Sequence, residues 1–143
     1  MAAGRIVTQG SLVADAHGVT LASVDDGRVQ AAIRASYAFN RRRVVSSVTL
    51  AEVLHGTSRD ANLHRALGNF DTIPADDEIA GLAGRLLRVA PHRSKSKNRA
   101  IDAVVCATAL LRAPRPIAIL TSDATDIEPM LDGAPGVKVI MLK

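Results

Sequence analysis

Aromatic side chains are almost absent from this 143-residue chain, which has no tryptophan and only Tyr37, Phe39 and Phe70. Its core must therefore be built from aliphatic residues and alanine, and stacking platforms for single-stranded bases are scarce. Cysteine is nearly missing as well. Cys106 is the sole one, which excludes an intrachain disulfide and a multi-thiolate zinc site, and it reads as a small core residue. No apolar run approaches the roughly 20 residues of a membrane span, and no apolar leader is visible at the N-terminus, so the expectation is a cytoplasmic protein with no membrane partner.

Nearly half the residues are apolar, and the length suits a single domain with a sizeable core. The net charge is +4, which favours an acidic partner such as nucleic acid without proving one. Residues 1–10 read as a short extension, with Ile6 to Thr8 strand or ordered arm, and 11–143 as the folded domain.

Two carboxylates stand out between Asn98 and Ile127. The helix spanning Ala100 to Leu111 is apolar around most of its circumference, yet carries Asp102 in its first turns, and a buried acid needs a partner. A short strand, Ile117 to Leu120, follows the breakers Pro114 and Pro116 and ends in Thr121, Ser122 and Asp123. Leu12, Val13 and Ala14 read as a first buried strand, with Asp15 placed after it as Asp123 is after the other. Asp15 also suits the N-cap of the next helix. Asp25 and Asp26 start a helix running through Val29, Ile33 and Tyr37, followed by Arg41, Arg42 and Arg43, a solvated helix end or a phosphate contact.

Val44 and Val45 make a second strand, and Ser46, Ser47 and Thr49 offer caps for a helix holding Glu52 among apolar neighbours. Glu52 and His55 have the Glu-x-x-His spacing of di-iron bundles, but the second such pair is missing, and His17, His55, His64 and His92 read as surface or packing residues. Helical stretches follow at Asp60 to Phe70 and Ala75 to Ala90, the second with Ile79, Leu82, Ala83, Leu86 and Leu87 on one face and Asp76, Asp77 and Glu78 at its positive end. The basic stretch Pro91 to Arg99 supplies Arg93, Lys95, Lys97 and Arg99 as candidate RNA contacts, because its charge falls beside the suspected acidic site. A helix including Ile127, Met130 and Leu131 and a last strand, Val137 to Leu142, close the chain. This alternation predicts a three-layer α/β/α domain with a mainly parallel sheet.

Asp15, Glu52, Asp102 and Asp123 each lie beside an apolar segment rather than in a surface charge run. If the first strand and the strand before Asp123 are neighbours, these acids meet at one sheet edge, where ligands of open α/β sheets bind. Carboxylates within about 4–6 Å disfavour each other's ionisation, a conflict that a hard divalent cation removes. All-oxygen ligation points to one or two Mg²⁺ or Mn²⁺ ions rather than zinc, and with basic residues nearby the matching reaction is phosphodiester hydrolysis.

The segments LVADAHGV, SSVTLAEVLHG, NRAIDAVVCATAL and AILTSDATDI, in this order and at these intervals, resemble the PIN-domain family, especially VapC-like toxins of VapBC toxin–antitoxin pairs, over about residues 11 to 143. The resemblance implies a Mg²⁺- or Mn²⁺-dependent ribonuclease, usually dimeric, with a cognate antitoxin protein that blocks its cleft. Its metal-binding carboxylates match Asp15, Glu52, Asp102 and Asp123, and Asp126 matches a further acid that some members carry. In one respect the chain departs from the family: His17 stands two places after the first aspartate, where a small or hydroxyl residue is usual, and it either faces the cleft or turns away. A PIN-like module that holds RNA or protein without cleaving is the alternative. A receiver-like signalling domain fits poorly, since Asp25 and Asp26 lie far from the first strand and Lys138 falls at the start of the last one.

Overall fold

A computed structural model describes residues 9–89 and 99–142 of the chain. Ile6 to Thr8 and, of the basic stretch, Arg93, Lys95 and Lys97 lie outside the described residues. Five strands form one parallel sheet: β1 (Ser11–Ala14), β2 (Arg42–Ser46), β3 (Asp71–Ile73), β4 (Ile117–Thr121) and β5 (Val137–Met141), in the spatial order β3-β2-β1-β4-β5. The chain builds outward from β1 to β3, then returns to lay β4 on the other side of β1. That reversal makes the β1/β4 boundary the topological switch point, where the crossovers leave in opposite directions and a crevice opens beyond the strand ends.

Seven helices cover the two faces: α1 (Ala16–Ser23), α2 (Gly27–Ala38), α3 (Ser47–Val53), α4 (Ala61–Leu67), α5 (Asp77–Val89), α6 (Arg99–Arg112) and α7 (Ala124–Met130). Side chains alternate across the sheet, as the period of two in a strand requires. Val13, Val44, Ile117 and Ile119 join Ile79, Ala83 and Leu86 of α5, the small residues of α6 and Ile127 of α7 in one apolar cluster. Leu12, Ala14, Val45 and Leu120 join Val19 of α1, Val29 and Ile33 of α2, Val53 and Phe70 in the other. This is the expected three-layer α/β/α arrangement. Among the described residues no helix is long and apolar enough to cross a membrane.

The small residues of α6 let it lie close under the sheet: Ala103, Cys106, Ala107 and Ala109 are fully buried. Gly18 does the same for α1. A Cβ built on it would stand 3.1 Å from Ala14 Cβ and 3.4 Å from Leu120 Cβ, so α1 rests directly on β1 and β4.

The sequence reading changes in three places. Asp60 does not simply open a helix. It closes a 3-10 turn, Ser58–Asp60, and its carboxylate accepts the backbone N–H groups of His55 (2.9 Å) and Gly56 (2.8 Å). The strand β3 was not anticipated, because three residues with two exposed side chains carry no apolar signature. The arginine run belongs largely to β2 rather than to a solvated helix end. Arg42 pairs with Asp71 at 3.1 Å, Arg43 stacks 3.5 Å from the Tyr37 ring centroid and donates to the Asn69 carbonyl, and Arg41 lies over Phe39. These groups sit at the N-terminal ends of the strands, the edge opposite the carboxylates.

Gly18→Val should destabilise the fold by about 1–3 kcal/mol, because the added methyls must force α1 off β1 and β4. Chemical denaturation against the parent chain measures this, and an unchanged midpoint would refute the close α1–sheet contact.

Candidate metal centre

Asp15 follows β1 directly and caps α1: its Oδ1 accepts the Gly18 N–H at 3.0 Å, and its own N–H donates to the Leu120 carbonyl on β4. Asp123 follows β4 in the equivalent place. It stands at the N-cap of α7, yet its side chain makes no capping hydrogen bond and is left to the crevice. Helix α3 leaves β2 at once through the Ser46 cap and carries Glu52 in its last turn; α6 brings Asp102 in its first turn. Asp15, Glu52, Asp102 and Asp123 then line one cleft of about 270 Å³ with Ala16, His17, Thr20, Val53 and Ser122. The four acids separated by up to 108 positions in sequence are thus brought to one place, at the β1/β4 switch point.

His17 is one of the residues lining this cleft, and its charged form favours ionised Asp15. Among the described residues no lysine or arginine lines the cleft. Asp126 is buried, its charge acts on Asp102, and it is not among the residues lining the cleft. Arg99 begins α6 and donates a guanidinium N–H to the Leu87 carbonyl at 3.1 Å.

Burial and like charge set the electrostatics. Asp102 is only 5% exposed, and its carboxyl is pushed up from 3.8 to about 7, first by burial and then by the charges of Asp123, Asp15, Asp126 and Glu52. Burial also raises Glu52, helped by Asp15 and Asp123. Asp15 is raised by burial and by Asp123, while the Thr121 hydroxyl and the Gly18 N–H pull it back. Thr121 thereby serves both strand-end acids, since its Oγ1 also accepts the Asp123 N–H at 2.9 Å. In the sequence Thr121 reads only as the end of a strand. Its position two residues before Asp123, buried at the switch point, was the available signal.

One oxygen of this cluster is left over. Asp102 Oδ2 is buried without a hydrogen-bond partner among the described residues, a state that costs free energy unless a proton or a cation meets it. The donor set is all oxygen and its charge is uncompensated, which suits a hard divalent ion. Among the described residues, however, no three His, Cys, Asp or Glu side chains stand in a geometry that would hold a metal ion together as they are. The carboxylates ring the cleft rather than converge on a point. Glu52 and Asp123 are only half-buried, so both have room to turn inward.

The sign of the Asp102 shift gives a stability prediction. A carboxyl whose folded-state value lies above its unfolded value makes the folded state bind the extra proton, so its penalty is absent below about pH 4 and complete above about pH 7. Asp102→Asn should therefore stabilise the metal-free chain at pH 8 by about 1–3 kcal/mol, the range allowing for screening by solvent in the cleft. The gain should vanish on acidification towards pH 4, as followed by urea denaturation at several pH values; a gain independent of pH would contradict the assignment.

No protein-family model and no curated protein matches the chain by sequence. Solved structures do match its fold. A toxin–antitoxin complex from Klebsiella pneumoniae aligns with a TM-score of 0.61 and 22% identity, over 89% of this chain and 95% of that one. VapBC2 from Rickettsia felis, bound to a DNA fragment from its promoter, aligns with a TM-score of 0.68 and 12% identity over 92% and 98%. DNA-bound VapBC from Salmonella typhimurium gives 0.58 and 14% over 92% and 97%. The three-layer α/β/α PIN-like fold that the sequence resemblance implies is thus the fold this chain shares with chains of these toxin–antitoxin complexes.

Proposed function

We propose that the chain is a metal-dependent endoribonuclease, the toxin of a type II toxin–antitoxin pair, that hydrolyses RNA phosphodiester bonds. The observation that carries this reading is the meeting of Asp15, Glu52, Asp102 and Asp123 in one cleft, with a buried Asp102 oxygen left without a partner. A Mg²⁺ or Mn²⁺ ion, or two, bound there would lower the pKa of a coordinated water and neutralise charge on the phosphate oxygens. Asp15, Asp102 and Asp123 would be its ligands. Asp126, buried and acting by its charge on Asp102, is the candidate for a further ligand.

The side chains have distinct parts to play. Asp15 is held on two sides, by the Gly18 N–H and the Thr121 hydroxyl, and is the fixed ligand. Asp102 presents an oxygen that no other described residue uses. Glu52 stands half-exposed on the opposite wall, where a raised pKa suits a group that ligates or orients and deprotonates the attacking water. His17, which lines the cleft, would add a contact to the phosphate. Arg93, Lys95, Lys97 and Arg99 are proposed to draw the polyanion towards an otherwise acidic cleft. A cognate antitoxin protein would silence the toxin, and the fold relatives of toxin–antitoxin complexes support that partner. A homodimer acting in the cytoplasm goes with the same reading.

A non-cleaving PIN-like module that binds RNA or protein is the second reading, favoured by the one observation that among the described residues no three side chains are preset to hold an ion. Incubating the purified chain and Asp102→Asn with defined structured RNAs separates the two. The parent should cut in Mg²⁺ or Mn²⁺ and not with chelator, and the variant should lose about 100-fold or more of the rate. An intact RNA set together with no metal bound by calorimetry would sink the nuclease reading in favour of the binding module.

A further inference from the structure

Beside the carboxylate cleft lies a second, larger groove of about 570 Å³, within the range of pockets that take a small ligand. The two share Thr20, Glu52 and Val53, so Glu52 and Val53 form a low partition with the acids on one side and the groove on the other. The far wall comes from the turn between α3 and α4, with His55, Arg59 and Asn62, and the near wall from Thr20, Ser23 and Val24 at the end of α1.

The chemistry of these walls differs from that of the cleft. Arg59 is exposed, and its guanidinium takes part in none of the ion pairs among the described residues, which engage Arg42, Arg65 and Arg112. The turn that carries it is fixed from below. Asp60 is buried and accepts the N–H groups of His55 and Gly56, and Thr57 Oγ1 accepts the Arg59 N–H. The groove thus pairs an unneutralised cation on a rigid turn with hydroxyl and amide donors, over an apolar floor of Val53 and Leu63 that could carry the face of a base.

We infer that this groove is a subsite for the single-stranded RNA next to the scissile phosphate, with Arg59 and His55 on the flanking phosphate. The inference rests on the ribonuclease reading of the adjacent cleft. A strand lying across the cleft must leave it somewhere, and this exit shares Glu52 with the cleft and adds the exposed guanidinium of Arg59, where the cleft's described lining has no lysine or arginine. Arg59 is a binding residue for the strand, and Asp60 a positioning residue that holds its turn.

Binding of a short unstructured, fluorescein-labelled single-stranded RNA, read by anisotropy in Mg²⁺ across a salt series, tests this in the Asp102→Asn background, where the strand stays intact. Adding Arg59→Gln should weaken binding about fivefold to tenfold and reduce the salt slope by about 0.7, the loss of one phosphate contact on a single strand. Arg34→Gln, the same charge change at an exposed position on α2, should do neither. Equal effects of the two variants, or no effect of Arg59→Gln, would overturn the subsite while leaving the nuclease reading intact if the parent cuts RNA. The second of these results would assign the groove to a protein segment instead. RNA that binds none of the proteins would remove the subsite together with the reading on which it rests.

Discussion

Asp15 and Asp123 stand at the ends of adjacent parallel strands, and most of the structure follows from accommodating them there. Parallel strands direct their carboxyl ends to one edge, and the reversal of strand order between β1 and β4 leaves that edge open at one point. Acids at this point are too close and too dry to be ionised together without compensation, which is why Asp102 is raised to about 7. The fold meets part of the cost locally. The start of α1 and the Thr121 hydroxyl stabilise Asp15, but nothing in the described residues meets Asp102 Oδ2.

The helices around the cleft owe their closeness to small side chains. Gly18 lets α1 touch the sheet, and the alanines of α6 let Asp102 reach the strand ends from beneath. A chain with almost no aromatic residues is suited to this, since large rings between helix and sheet would hold the acids apart. Tyr37 and Phe39 are instead on the opposite edge, exposed and engaged by Arg43 and Arg41. Charge is therefore separated along the strands, with arginines engaged at their beginnings and carboxylates gathered at their ends.

The cleft and its neighbouring groove differ in charge. Carboxylates attract a cation and repel a phosphate chain, whereas the groove beside them carries the exposed Arg59. Asp60, buried beneath the α3–α4 turn, shows how the fold uses an acid purely for structure: its oxygens are saturated by backbone N–H groups, whereas Asp102 keeps one open. That contrast separates the two carboxylates more sharply than burial does, because both are nearly inaccessible.

Local patterns in the sequence determined the alternation of strands and helices, the apolar helix around Asp102, and the placement of Asp15 and Asp123 just past buried strands. Those features depend on neighbours in the chain, through periodicity, caps and breakers. The sequence did not reveal β3, whose short strand is stabilised by pairing with β2 rather than by its own side chains, or the use of the arginine run inside β2. Nor could it distinguish Asp60 from the other acids, because its role lies in backbone hydrogen bonds across a turn. Only the tertiary structure decided that β4 returns to β1, that Thr121 joins the two strand-end acids, and that His17 lines the same cleft as they do. Each of these is a contact between segments far apart in sequence, set by how two apolar faces close over one sheet.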